Sequence, residues 1–233
     1  MGDTTMYLDG EYAQRNPGWH AEDSPWKAAH IASMLDRHRI LPTRLCEVGC
    51  GAGEILVELS RRYPAPARFT GYEISPQAYA ICSAKASQRM AFVHGSPFEG
   101  SSQRFDVALA IDVFEHVEDY IGFLRQLRDL AQYKVLHIPL DLSVQTVLRG
   151  APLQRVREIV GHLHYYTKET ALATLQHAGY RVIDHRYTAH SVELPGRGWK
   201  ASVARMPRRL MYALNADFAV RVLGGYSLLV LAT

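Results

Sequence analysis

Arg44-Leu-Cys-Glu-Val-Gly-Cys-Gly-Ala-Gly-Glu54 decides the fold: a short apolar run, an acid within it, then glycines at 49, 51 and 53. A chain that leaves a buried strand and turns tightly into a helix needs residues that accept positive φ and carry no Cβ to block an approaching ligand. The run predicts a strand over 44–48, a glycine bend whose amides face a ligand, and a helix from Glu54. Dinucleotide loops follow Gly-x-Gly-x-x-Gly and rest a pyrophosphate on the helix N-terminus. Here the third glycine comes one residue early, and Glu54 sets a carboxylate in the first helical turn. That carboxylate suits the helix dipole and repels a diphosphate.

A second run, Arg68-Phe-Thr-Gly-Tyr-Glu73, ends in an acid 20 residues beyond Gly53, where open α/β folds place the carboxylate that takes ribose hydroxyls. The coarse order then alternates strand and helix: 44–48, 54–63, 68–73, 76–86, 90–94, 105–111, 119–131, 134–138, 168–178, 181–187 and 226–233. Such alternation implies right-handed crossovers and a mostly parallel sheet covered on both faces. Apolar runs at 107–111 and 227–232 fit strands buried on two sides.

With Glu47 two positions ahead of Gly49, the chain resembles the class I S-adenosylmethionine (SAM) dependent methyltransferases. Asp112-Val-Phe-Glu-His116 after the run 105–111, Val135 to Pro139, and Gly161 to Lys168 are similar to stretches of the ubiquinone-methyltransferase-like branch, so the resemblance covers roughly residues 40 to 190. It implies a Rossmann-like α/β fold, a seven-stranded sheet in the order 3-2-1-4-5-7-6 with strand 7 antiparallel. It also implies SAM as cofactor and S-adenosylhomocysteine as product. Glu47, Gly49, Gly51 and Gly53 would surround the methionine part, Glu73 the ribose and Ile74 the adenine. Asp112 would reach the methionine ammonium. Family members often carry an adenine-binding acid after strand 3; this chain has Gly95-Ser96-Pro97 there, leaving the Ser96 hydroxyl for that contact. Ile74 as plain core and Asp112 as a turn stabiliser are the structural alternatives.

Methyl transfer from a sulfonium needs positioning above all, and a base only where the acceptor must lose a proton. His116, beyond the fourth strand at the ligand-binding edge, is the first candidate for that base, ahead of His137, His162 and His164. His137 also fits a satisfied core residue, and the other two fit turn contacts. Asp112, Glu115 and His116 make an oxygen-and-nitrogen cluster of the kind that holds Mg²⁺, but helix capping explains the pair equally, and no metal is expected. Cys50 between glycines serves as a small residue.

The chain of 233 residues, 48% hydrophobic and 21% charged, suits one domain, 1–233. An N-terminal segment, 1–43, with Tyr12, Trp19 and His20, and a helical insertion, 196–224, lie outside the alternating pattern and are candidate lids. Ser24-Pro25 predicts a helix start with serine as the cap. Arg197, Lys200, Arg205, Arg208 and Arg209 could meet an anionic acceptor or a membrane surface, though a solvated face is the plainer explanation. A net charge of +3 gives no case for nucleic acid, and no Asn-Pro-Pro-Tyr-type target-base motif occurs. Three cysteines, an odd number, suggest a reducing compartment. With no apolar stretch near membrane-span length and no leader-like start, a cytoplasmic location is expected. The expected activity is methyl transfer to a small molecule, at oxygen by the branch resemblance. N-methylation, a non-catalytic SAM-binding module and a nicotinamide dehydrogenase are the competitors. Oligomeric state is not legible.

Overall fold

A computed structural model of the chain describes residues 5–19, 21–98, 104–194 and 199–233. His20 and residues 195–198 lie outside that set. The strands are β1 (Arg44–Val48), β2 (Arg68–Glu73), β3 (Met90–His94), β4 (Phe105–Ile111), β5 (Ala131–Leu140), β6 (Val182–Thr188) and β7 (Tyr226–Ala232). They form one sheet in the order β3-β2-β1-β4-β5-β7-β6, parallel except for β7, which runs antiparallel to both β5 and β6. This is the order the family resemblance implied.

The helices used below are α1 (Ser24–Arg37), α2 (Glu54–Arg62), α3 (Pro76–Ser83), α4 (Tyr120–Leu130), α5 (Val144–Arg149), α6 (Ala151–Val160), α7 (Lys168–His177), α8 (Trp199–Leu214) and α9 (Ala216–Leu223). In α1, Ala28, Ile31, Ala32 and Leu35 are buried; that i, i+3, i+4, i+7 spacing gives one apolar stripe. The stripe joins Ile55, Leu56 and Leu59 of α2 and Val107, Leu109 and Leu229 of the sheet in one core. The alternate residues, Ala108, Ala110, Leu228 and Val230, join Phe123, Leu124 and Leu127 of α4 in a second core on the opposite face. Alternation along a strand thus feeds both layers.

Two local expectations are corrected. α1 does begin at Ser24, but Asp23 holds the cap position, after a 3₁₀ turn over Ala21–Asp23. Proline sits in the first turn, where its missing N–H costs nothing. β5 is also longer than 134–138, because Ala131 and Tyr133 pair with Phe105 and Val107 at the start of β4. Lys134 disguises this stretch in the sequence: its stem is buried and its amine donates to the carbonyls of Arg128 and Ala131 at 3.0 and 3.2 Å. Burial pulls that amine down to about 8.

Candidate active site

The carboxyl ends of β1, β2 and β4 open into a cavity of 380 Å³, within the range of small-ligand sites. Gly49, Gly51 and Gly53 all take positive φ, at 72°, 52° and 79°. Their surroundings differ. A Cβ on Gly49 would lie 2.9 Å from Val113, and one on Gly53 2.7 Å from Phe92, so both are packed against the body. A Cβ on Gly51 would meet only Trp19, at 3.9 Å, and so would point into the cavity. The expectation that the loop amides face a ligand is corrected for four of them. The N–H groups of Gly49 and Cys50 donate to the Tyr72 carbonyl, that of Gly53 to the Cys50 carbonyl, and that of Gly51 to Glu73 Oε2 at 2.7 Å. The glycines therefore supply shape more than donors.

Glu73 also accepts from Ser75 N at 2.8 Å, so both carboxylate oxygens are fixed at the end of β2. Burial raises its carboxyl above the usual range against the pull of those amides. Ile74 beside it is 37% exposed and lines the cavity. Glu47 is fully enclosed, and its Oε2 has no hydrogen-bond partner among the described residues. Burial pushes it well above the carboxylate range. Ser96 is not among the cavity-lining residues; its hydroxyl accepts from Phe98 N at 3.3 Å and closes a turn.

Asp112 sits beyond β4 at φ 53°, a left-handed conformation that Asp tolerates better than most residues. Its Oδ2 meets Lys27 Nζ at 2.8 Å, and its Oδ1 meets His137 Nδ1 at 2.6 Å. Burial would raise this carboxyl, but His137 and Lys27 hold it well below the usual range. His137 Nε2 continues the chain to the Thr188 hydroxyl at 2.8 Å. Lys27 comes from α1, and no periodicity or motif marks it in the sequence. The same holds for Trp26, whose Nε1 donates to Glu193 Oε2 at 2.7 Å and ties α1 to the turn His190–Glu193. Tyr7, Tyr12 and Trp19 of the N-terminal segment also line the cavity. None of the described residues of α8 or α9 does.

His116 lies in the 3₁₀ turn Phe114–His116, with its ring edge-on to those of Tyr7 and His162. His162 lines the cavity too and is held by Asp141 at 2.7 Å, whereas His164 bonds the Val117 carbonyl at 2.9 Å. The acid-histidine cluster differs from the one read in the sequence. Glu115, His116 and His162 bring ligand atoms within 4.8 Å of one another, and these are the described residues that could hold a cation; Asp112 is committed to Lys27 and His137.

Glu115 is fully buried, and neither carboxyl oxygen finds a hydrogen-bond partner among the described residues. Burial, then the charge of Asp112, pushes its carboxyl well above 4.5. Between 4.5 and that raised value the folded chain holds a proton that the unfolded chain has lost, so Glu115 makes stability fall as pH rises. The slope approaches about 1.4 kcal/mol per pH unit. Glu115→Gln removes it. Urea unfolding should therefore show the variant gaining on wild type from pH 4 to pH 7, and parallel pH profiles would contradict the buried neutral acid.

A parallel glycine-bend sheet with β7 reversed, opening on an acid-lined pocket, defines the class I SAM-dependent methyltransferase architecture. Residues 19–185 match the methyltransferase domain family, and the chain belongs to it. A ubiquinone biosynthesis O-methyltransferase of Cereibacter sphaeroides is 26% identical over an alignment of 141 residues that covers 56% of this chain and 53% of that protein. The chain thus matches about half the length of its curated relatives. Among solved structures, the magnesium protoporphyrin IX methyltransferase of Synechocystis, crystallised with S-adenosylhomocysteine, superposes with a TM-score of 0.60 at 16% identity, covering 89% of this chain and 82% of that one. The cyclopropane synthase MmaA2 of Mycobacterium tuberculosis gives 0.55 at 16% identity, covering 82% and 78%. These likenesses show the fold.

Proposed function

We propose that the protein transfers a methyl group from SAM to the oxygen of a small, hydroxyl-bearing acceptor, with His116 as the base. The observation that carries this reading is the convergence of Gly51, Glu47, Glu73, Asp112 and His116 on one cavity. The pocket suits the donor. Gly51 leaves open the space a Cβ would fill, Glu47 has an unengaged buried oxygen, and the acids are not arranged to accept a diphosphate. Bound SAM supplies a methyl group already activated by a sulfonium. Glu73 holds the ribose hydroxyls, and Ile74 packs on the base. Asp112 and Lys27 together present one negative and one positive group, the complement of an amino-acid zwitterion; each Asp112 oxygen keeps a second lone pair for an ammonium. Tyr7, Tyr12 and Trp19 exclude water from the reacting atoms.

His116 accepts the acceptor's proton. Glu115 Oε1 lies 3.8 Å from its Nε2, so a positive charge on the ring lowers the cost of ionising Glu115. Oxygen is favoured over nitrogen as the methylated atom by the ubiquinone O-methyltransferase likeness, which also suggests a phenolic acceptor.

His116→Ala should lower kcat by about 10²–10⁴-fold, the usual contribution of general acid–base catalysis, with little change in SAM affinity. Turnover on a panel of phenols, with calorimetric titration of SAM, tests both parts. Wild-type turnover in the variant on the best acceptor would remove the base.

A further inference from the structure

The insertion before β7 leaves an apolar surface that the proposed chemistry does not use. Met206, Leu210 and Leu214 of α8 stand one turn apart on one stripe and are 75%, 64% and 79% exposed. The opposite side of the helix carries Met211 and Tyr212, which pack against the body. A helix that buries one apolar side normally turns a polar side outward; this one presents a second apolar stripe.

The stripe has neighbours of the same kind. In α5, Val147 and Leu148 are 58% and 82% exposed, and Phe218 at the start of α9 is 54% exposed. Arg208 joins these pieces: its guanidinium donates to the Gly224 carbonyl at 2.8 Å beyond α9 and to Gln145 Oε1 at 3.3 Å in α5. Its charge is thereby fixed beneath the apolar residues.

The charge around the patch is mainly positive. Arg149, Arg155, Arg157 and Arg209 are exposed, and of the nearby acids Glu158 and Asp217, the second is paired with Lys168. Exposed aliphatic groups set among cations fit an anionic lipid headgroup layer, whose acyl boundary takes the apolar residues and whose phosphates meet the guanidinium groups. Nucleic acid offers no counterpart for the aliphatic centre. No helix among the described residues is long and apolar enough to cross a membrane, so contact would be at the surface.

We propose that the face formed by α5, α8 and α9 docks the protein on anionic membrane surfaces. This does not depend on which acceptor is methylated, because none of the patch residues lines the cavity.

The test is sedimentation of the full chain with vesicles of phosphatidylcholine alone or of phosphatidylcholine with phosphatidylglycerol. Wild type should bind the anionic vesicles at least roughly tenfold better, and raised salt should weaken that binding. The combined variant Leu148→Ser, Met206→Ser, Leu210→Ser and Leu214→Ser should lose vesicle binding while keeping wild-type SAM affinity, which also shows that it is folded. Three outcomes overturn the proposal: no binding by wild type, equal binding to both vesicle types, or undiminished binding by the folded variant. A wild-type dimer in light scattering that the variant dissociates would assign the face to a second copy and overturn it too.

Discussion

Gly51→Val is expected to weaken SAM binding by more than about a hundredfold, near 3 kcal/mol, while the fold survives. The three loop glycines make this a comparison. At positions 49 and 53 a Cβ would collide with Val113 or Phe92 at 2.9 and 2.7 Å, so alanine there should strain the body and lower stability. At 51 the Cβ meets nothing closer than Trp19 at 3.9 Å. The cost to the fold is then mainly that of a β-branched residue at φ 52°, about 1–2 kcal/mol, or several degrees in the melting midpoint. The valine methyls would occupy the space where the ligand approaches the backbone. Gly51→Ala should fall between, keeping the backbone strain with one methyl in the cavity. Calorimetric titration with SAM beside thermal unfolding separates the two costs. Unchanged affinity in a folded Gly51→Val would refute the loop assignment.

Sequence and structure agree where the determinants are local. β1 to β4 have the ends expected of them, because each is a short buried run closed by turn residues or an acid. The glycine bend and Glu73 were legible for the same reason: positive φ and a strand-end carboxylate are written within a few residues. Contacts between distant segments were not. Nothing near Lys27 announces that it meets Asp112, 85 positions on, and nothing near Trp26 announces Glu193. Ser96 shows the reverse error: a hydroxyl at the right point of the chain is used by the Phe98 amide two residues later. α5 and α6 escaped notice because the apolar residues of α5 face outward, so the helical period carries no core signal. The segments 1–43 and 196–224 looked alike as candidate lids. The structure puts aromatic residues of the first on the cavity and none of the described residues of the second.

Asp112→Ala should destabilise the protein by about 3 kcal/mol and also weaken SAM binding. Asp112 bonds two cationic or donor groups at once, through different oxygens, with Lys27 only 15% and His137 only 5% exposed at the side chain. Removing the carboxylate strands the Lys27 ammonium in the cavity wall and leaves His137 with Thr188 alone. The left-handed backbone adds to the cost, since alanine accepts φ 53° less readily than aspartate. Asp112→Asn should lose less, because the amide oxygen still accepts one bond while its NH₂ meets the other partner unfavourably. The decisive variant is Asp112→Ala with Lys27→Met. If the damage comes from an orphaned cation, deleting that cation should return part of the stability, and the two effects should couple by 1 kcal/mol or more. SAM affinity should not return, because both halves of the proposed zwitterion contact are then gone. Urea unfolding of the four proteins at pH 7, with calorimetric titration of each, reads both quantities. Additive losses would show that Lys27 and Asp112 act separately, and restored affinity in the double variant would remove both from the donor site.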